Sequence, residues 1–295
     1  MSATEHDQQG VPEEGAPRGN PGLAASIQRA RFEIIPMKGV DDQIEHLPQD
    51  AVVTVTASPT KGMDATLELA GRVSALGPTV VPHLAARLVE SRGHLDEVLA
   101  RIRELGIIEV FVVAGDALEP AGPYPGAVEL IEDMADTDHG LTHIGITGYP
   151  ERHAFIPDRT TIEAMERKAA HATYIVSQIC YDAAVIRGWI ANLRLRGITL
   201  PVFLGIPGVI DRSRLLRVSM RVGLGDSVRY LRKQSEVATK MMAGYTPDEL
   251  IEGLADLVGD PYAGVAGWHI FTFNEVERTN RWRHELLATT RGVVL

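Results

Sequence analysis

The alternation of short apolar runs with longer amphipathic stretches constrains the fold of this chain more than any other feature. Eight runs rich in β-branched or apolar residues are bounded by Gly, Pro or Asx breaks, at residues 31–36, 51–56, 79–82, 107–113, 142–147, 173–177, 200–204 and 267–271. Helical periodicity is found between them, at 64–76, 93–105, 162–171, 182–195 and 274–287. Eight strands that alternate with helices are the number that closes a parallel barrel, so the sequence predicts an α/β protein with a single (β/α)8 TIM-type barrel. An open doubly wound sheet is the alternative, because alternation alone does not establish closure.

Two segments depart from this alternation. Residues 1–25 are rich in Gly, Pro, Glu and Gln and have almost no bulky apolar side chains, which predicts a disordered tail. Residues 26–295 then form the barrel, which is the expected catalytic domain. The stretch 212–259, between strands seven and eight, is long and mostly helical in pattern, so we expect extra helices inserted there.

Charge and composition exclude several classes of protein. The formal net charge of −10 disfavours a nucleic-acid surface, because phosphate backbones are held mainly by Lys and Arg. No apolar run is long enough for a transmembrane helix, and residues 1–22 lack the basic start and apolar core of a secretory signal. Cys180 is the only cysteine, so it can form neither an internal disulfide nor a cysteine zinc site. We therefore expect a cytoplasmic protein without membrane or nucleic-acid partners.

Two acidic residues stand out, because catalytic groups of such barrels lie at the C-terminal ends of the strands. Glu33 lies inside the first predicted strand, where an apolar residue is expected. A buried carboxyl that keeps its proton near neutrality can act as a general acid, whereas pairing with an Arg or Lys in the barrel floor is the alternative. Asp116 ends the fourth predicted strand behind Gly115, which allows close approach of a ligand. Its alternative role is to cap a turn.

Three further polar residues are candidate ligand contacts. Gln178 closes the sixth predicted strand, and its amide could pair with the mixed donor and acceptor edge of a pterin or nicotinamide. His83 follows the third predicted strand and His153 follows the fifth, and each could bind a ligand or satisfy a loop carbonyl. His139 and His143 have the spacing of a helical metal pair, but Gly140 and a strand-like sequence interrupt the helix, so no metal site is expected.

Taken together, these motifs resemble those of the methylenetetrahydrofolate reductase family, from residue 31 to 287. The matching motifs are Phe32-Glu33 with Pro36, Pro82-His83-Leu84, Gly115-Asp116, Tyr149-Pro150-Glu151 with His153, Ser177-Gln178 with Asp182, Gly205-Ile206-Pro207-Gly208 and Trp268-His269-Ile270-Phe271-Thr272-Phe273-Asn274. Each motif is short, but their order and their positions at strand ends are fairly specific.

The resemblance implies reduction of 5,10-methylenetetrahydrofolate to 5-methyltetrahydrofolate by hydride from NADH or NADPH. Glu33 would protonate N10 as the methylene bridge opens, and Asp116 would stabilise the cationic iminium that forms on N5. Substrate-binding residues would be Gln178, His83 and Phe271. Cofactor-binding residues would be Tyr149, His153 and Thr56.

This chain departs from the family where flavin-using members hold that group. The Arg that precedes Gly-Asp in those members is Ala114 here, and their glycine-containing loop after strand two is replaced by Thr56-Ala57-Ser58-Pro59. The Arg that usually follows Asn at strand eight is Glu275. We therefore expect direct hydride transfer without FAD, as in the flavin-independent branch of the family. A flavin-dependent reductase of the same substrate and a catalytically weak folate-binding or assembly subunit remain the alternatives, and the oligomeric state is open.

Overall fold

In a computed structural model, the chain folds as a closed ring of parallel strands wrapped by helices. The structure describes residues 21–58, 60–151, 158–211, 214 and 245–291. The strands pair in the order β1 to β8, and β8 pairs with β1, so the barrel is closed and the open-sheet alternative is wrong. The prediction of a (β/α)8 barrel is confirmed.

The elements follow one another in regular alternation. The strands are β1 Arg31–Ile34, β2 Val52–Val55, β3 Thr79–Ala85, β4 Glu109–Val113, β5 His143–Gly148, β6 Tyr174–Ser177, β7 Val202–Pro207 and β8 Val265–Phe271. The described helices are α1 Pro21–Gln28, α2 Val40–Ile44, α3 Gly62–Ala75, α4 Arg92–Glu104, α5 Ala127–Ala135, α6 Asp158–Ala169, α7 Ala183–Leu195, α8 Asp248–Glu252 and α9 Val276–Thr290. Two 3₁₀ turns, Ala86–Leu88 and Ala255–Leu257, follow β3 and α8. None of these helices is long and apolar enough to cross a membrane.

Local sequence explains where the helices begin and which face they bury. The Ser91 side chain accepts a hydrogen bond from the backbone N–H of His94 at the start of α4, and Asp182 accepts from two N–H groups at the start of α7. The buried face of α4 consists of Leu95, Val98, Leu99 and Ile102. These side chains join the apolar layer between the helices and the outer face of the sheet, which holds most of the core.

One boundary differs from the sequence predictions, and one predicted insertion is only partly described. Residues 21–25, expected in the disordered tail, belong to α1, where Leu23 and Ala24 are buried; the boundary expected at residue 25 is therefore wrong. Residues 1–20 lie outside the described residues. Of the extra helices expected at 212–259, the structure describes α8 and the 3₁₀ turn that follows it, and most of the remaining stretch lies outside the described residues.

Side chains that point inward fill the lower part of the barrel. Arg31, at the start of β1, forms an ion pair with Glu109 and stacks its guanidinium on Tyr174 and Phe203, 4.4 and 4.0 Å from the ring centroids. Alternation along β1 then places Glu33 on the same inner face, one step closer to the C-terminal ends of the strands. The open end of the barrel at those C-terminal ends is called the mouth below.

Candidate active site

Glu33 lies between two histidines inside the barrel. Its Oε2 is 3.2 Å from Nε2 of His269 on β8 and 3.6 Å from Nε2 of His83 on β3. The Glu33 side chain is 12% exposed, so it is largely shielded but still reaches solvent. The alternative in which Glu33 pairs with an Arg or Lys is not observed among the described residues, since Arg31 pairs with Glu109 instead.

His83 is an uncharged neighbour of this carboxyl at neutral pH. Burial lowers the pKa of His83 from 6.5 to about 4; Glu33 opposes this change and His269 adds to it. His83 was expected just after the third strand, but β3 continues to Ala85, so the imidazole is buried within the strand and its ring lies 4.8 Å from that of Phe111. Pro82 does not end β3, because it still pairs with Val55.

Two imidazole nitrogens near Glu33 have no hydrogen-bond partner among the described residues. They are Nε2 of His83 and Nδ1 of His269, and both are buried. The described residues contain no group of three His, Cys, Asp or Glu side chains that could hold a metal ion. The cluster places a carboxyl group between two imidazoles, one of them within hydrogen-bond distance, and this arrangement suits proton transfer.

The backbone that carries Glu33 is tied to the end of β8. The Asn274 side chain accepts a hydrogen bond from the N–H of Ile35 (2.8 Å) and donates one to its carbonyl (2.9 Å). The Thr272 hydroxyl donates to the carbonyl of Glu33 at 2.6 Å. Asn274 has a φ of 60°, which an Asn tolerates better than most residues. These bonds fix the seam between the first and last strands beside the candidate acid.

Asp116 lies at the mouth, after β4, with its carboxylate exposed. Gly115 before it has a φ of 88°, and a Cβ there would lie 3.0 Å from the Cβ of Ala85. Asp116 is near Tyr149, which follows β5. Burial raises the pKa of Tyr149, whereas a hydrogen bond with Thr147 lowers it. The negative charge of Asp116 also raises the pKa of Tyr149. An anionic group at the mouth and a carboxyl deeper in the barrel could act on two ends of one reacting bond.

The remaining predicted residues lie at neighbouring strand ends. The Gln178 side-chain oxygen accepts a hydrogen bond from the N–H of Ile179, so part of its amide satisfies the local backbone. Phe271 ends β8, and its ring centroid lies 4.9 Å from that of His269. Thr56 follows β2, where its carbonyl accepts a bond from the Thr66 hydroxyl. His153 lies outside the described residues.

The structure thus brings Glu33, His83 and Phe271 into one cluster through His269. Asp116 and Tyr149 form a second group at the mouth. His269 belongs to the last of the matching motifs, but the sequence alone predicts no role for it. The available signal was that His269, like Glu33, is a polar residue within an otherwise apolar strand, and that the first and last strands of a barrel are neighbours.

The positions that depart from flavin-using proteins have other contacts here. The carbonyl of Ala114 accepts the backbone N–H of Arg87, at 3.0 Å. Glu275 forms ion pairs with Arg214 and Arg278. An acidic side chain that is already engaged by arginines offers no donor to a phosphate or to a flavin ring oxygen.

Comparison with known proteins identifies one family. The family model of methylenetetrahydrofolate reductase matches residues 40–281, which leaves Glu33 outside the matched stretch. A probable methylenetetrahydrofolate reductase (NADH) of Oryza sativa subsp. japonica is 25% identical over 199 residues, 61% of this chain and 33% of the rice protein. Methylenetetrahydrofolate reductase (NADH) 1 of Zea mays is 26% identical over 202 residues, 61% of this chain and 33% of the maize protein. Methylenetetrahydrofolate reductase 2 of Saccharomyces cerevisiae is 25% identical over 134 residues, 42% of this chain and 22% of the yeast protein. The chain therefore spans about a third or less of the length of these relatives.

Proposed function

Because the chain belongs to the methylenetetrahydrofolate reductase family, we propose that it reduces 5,10-methylenetetrahydrofolate to 5-methyltetrahydrofolate with a reduced nicotinamide as hydride donor. The observation that carries this proposal is the position of Glu33 inside the barrel below the mouth, 3.2 Å from Nε2 of His269 and 3.6 Å from Nε2 of His83. A carboxyl in that place can deliver a proton to a substrate that enters from the mouth.

In the proposed reaction, proton transfer precedes hydride transfer. Glu33 gives its proton to N10 of the folate while the bond between N10 and the methylene carbon breaks. The electron pair of N5 then forms the cationic iminium, and hydride from the nicotinamide converts it to the methyl group. Glu33 is left as a carboxylate beside His269, which can donate a hydrogen bond to it from Nε2.

Asp116 supplies the second electrostatic contribution. Its carboxylate at the mouth would stabilise the positive charge that develops on the iminium. Gln178 would bind the pterin through its amide, with Phe271 and His83 as further substrate contacts. Tyr149, Thr56 and His153 are the proposed contacts of the nicotinamide cofactor.

We further propose that hydride passes directly from the nicotinamide to the folate, without FAD. Ala114 and Glu275 lack the arginine side chains of flavin-using members. Arg87, next to Ala114, is not a substitute, because its guanidinium donates to the carbonyls of Pro125 and Ala117. NADH is proposed as the donor because the rice and maize relatives are named for it.

The main test combines a substrate-dependent assay with a charge-removing variant. Purified protein should oxidise NADH only when methylenetetrahydrofolate is present, and Glu33→Gln should abolish most of this activity, because the amide cannot donate an acidic proton. Glu68→Gln, on the exposed face of α3, is the matched control and should retain activity. An unchanged rate in Glu33→Gln would remove Glu33 as the acid, and wild-type protein that binds folate without NADH oxidation would favour a binding subunit.

Two measurements test direct transfer. The absorption spectrum of the purified protein should show no flavin band that bleaches on addition of NADH. With NADH deuterated at the transferred position, the label should be retained in the product methyl group. Stoichiometric bound flavin, or label lost to water, would contradict direct transfer while leaving the reductase reaction itself intact.

A further inference from the structure

We propose that Arg87 is a positioning residue that holds Asp116 in place at the mouth. Arg87 lies in the 3₁₀ turn after β3, and Asp116 lies in the loop after the neighbouring strand β4. The inference rests on the proposed role of Asp116 near the iminium, and it assigns a function to a side chain that the motifs did not single out.

The guanidinium of Arg87 binds both ends of the loop that carries Asp116. Its Nε donates to the carbonyl of Pro125 at 2.8 Å, and its Nη1 donates to the carbonyl of Ala117 at 2.9 Å. A longer contact of 3.5 Å joins Nη1 to the carbonyl of Leu118. One side chain therefore links the residue directly after Asp116 to the end of the same loop.

The backbone of Arg87 makes two further bonds to this loop. Its N–H donates to the carbonyl of Ala114 at 3.0 Å, and its carbonyl accepts from the N–H of Ala121 at 2.9 Å. Ala114 and Ala117 bracket Asp116 in sequence, and both carbonyls are bound by Arg87. The turn that presents the carboxylate is thus fixed from both sides.

The carboxylate of Asp116 has no hydrogen bond of its own to the other described residues. Its direction is therefore set by the backbone of the loop rather than by a partner side chain. Close packing supports the same arrangement, since Gly115 lies against Ala85 and Gly122 lies against the carbonyl of Glu90. A loop held in this way can keep an exposed carboxylate where a substrate cation will form.

Lysine cannot replace this arrangement. The planar guanidinium presents several N–H donors in a fixed geometry, whereas an ammonium is a single point on a flexible stem. Since displacement of a catalytic group by about 1 Å can cost roughly a hundredfold in rate, a looser loop should be visible in turnover. The expected loss in Arg87→Lys is about ten- to a hundredfold in kcat, with little change in KM for the folate.

The control is another arginine that binds carbonyls far from the mouth. Arg194 at the end of α7 donates to the carbonyls of Ala263, Ile198 and Leu200. Arg194→Lys should lose stability like Arg87→Lys but keep kcat. Amide hydrogen exchange over residues 114–121 should become faster in Arg87→Lys and remain unchanged in Arg194→Lys.

A double-mutant cycle with Asp116→Asn separates positioning from general damage. If Arg87 acts through Asp116, Arg87→Lys should add little to the loss of kcat already caused by Asp116→Asn. An equal fold loss in both backgrounds would overturn the proposal, as would wild-type exchange over residues 114–121 in Arg87→Lys. Should wild-type protein lack reductase activity, the proposed function fails, and hydrogen exchange alone then decides whether Arg87 holds the loop.

Discussion

Replacing Lys168 with methionine is expected to stabilise the protein at neutral pH. Lys168 on α6 is 5% exposed, and its Nζ lies 3.5 Å from both the carbonyl oxygen and the hydroxyl of Thr147. Among the described residues, no carboxylate forms an ion pair with it. Burial lowers the pKa of Lys168 from 10.5 to about 8, so at pH 7 the folded protein still holds a buried, poorly solvated charge.

The magnitude follows from the change in proton affinity. Since one pKa unit is worth about 1.4 kcal/mol, the fall from 10.5 to about 8 corresponds to about 3 kcal/mol of destabilisation at pH 7. Between pH 8 and 10.5 the unfolded chain binds this proton more tightly than the folded protein does. The Lys168 contribution therefore makes stability rise with pH across that window and become constant above it. Methionine has a similar shape and no charge, so Lys168→Met should gain about 3 kcal/mol at pH 7 and lose this dependence.

Urea unfolding at pH 7 and at steps from pH 8 to 10.5 measures both effects. The difference in unfolding free energy between Lys168→Met and wild type should shrink toward zero as pH rises, because titration of other groups is common to both proteins. Lys38→Met, at an exposed position, is the matched control and should show no such trend. A variant that is less stable than wild type at pH 7, or a difference that is constant with pH, would refute the reasoning.

Two more substitutions test close packing and the β1–β8 seam. Gly122→Ala should lower the free energy of unfolding, measured in urea, by about 1–3 kcal/mol, because the new Cβ would lie 2.2 Å from the carbonyl oxygen of Glu90. Gly188→Ala is the control: a Cβ at this position in α7 meets open space, so the substitution should be neutral or stabilising. Asn274→Gly tolerates the positive φ but loses both bonds to Ile35, so it should cost about 1–3 kcal/mol. An Asn274→Gly protein as stable as wild type would show that the seam does not depend on this side chain.

The barrel could be predicted from the sequence because each strand carries its own local signal. The contacts between side chains inside the barrel are harder to predict from the sequence, because they depend on the register in which neighbouring strands pair. Glu33 stood out as an acid in an apolar strand, but nothing local shows that His269 shares its inner face. To place Glu33 and His269 on the same inner face, one must know that β1 pairs with β8 and that Arg31 lies opposite His269.

Proline and glycine residues, which usually mark the ends of strands and helices, led to wrong predictions in two places. Pro82 suggested the end of the third strand, but a parallel strand can include a proline where its N–H is not required, and β3 continues to Ala85. The Gly- and Pro-rich composition of the first residues concealed α1, whose Leu23 and Ile27 recur at helical spacing and pack into the core. The role of Arg87 was hidden because an arginine that binds carbonyls leaves no pattern in the sequence.

The pairing of Glu33 with His269 also has a consequence for the order in which the protein forms. The two residues are 236 positions apart, so Glu33 cannot meet its partner until β8 has been synthesised. At translation rates of about 5–20 residues per second, this delay is roughly 10–50 s, during which the carboxylate is hydrated on a growing chain. On the proposed function, a nascent or truncated barrel that lacks its last strand is expected to be inactive, and recovery of NADH oxidation during refolding should report the moment at which the ring closes.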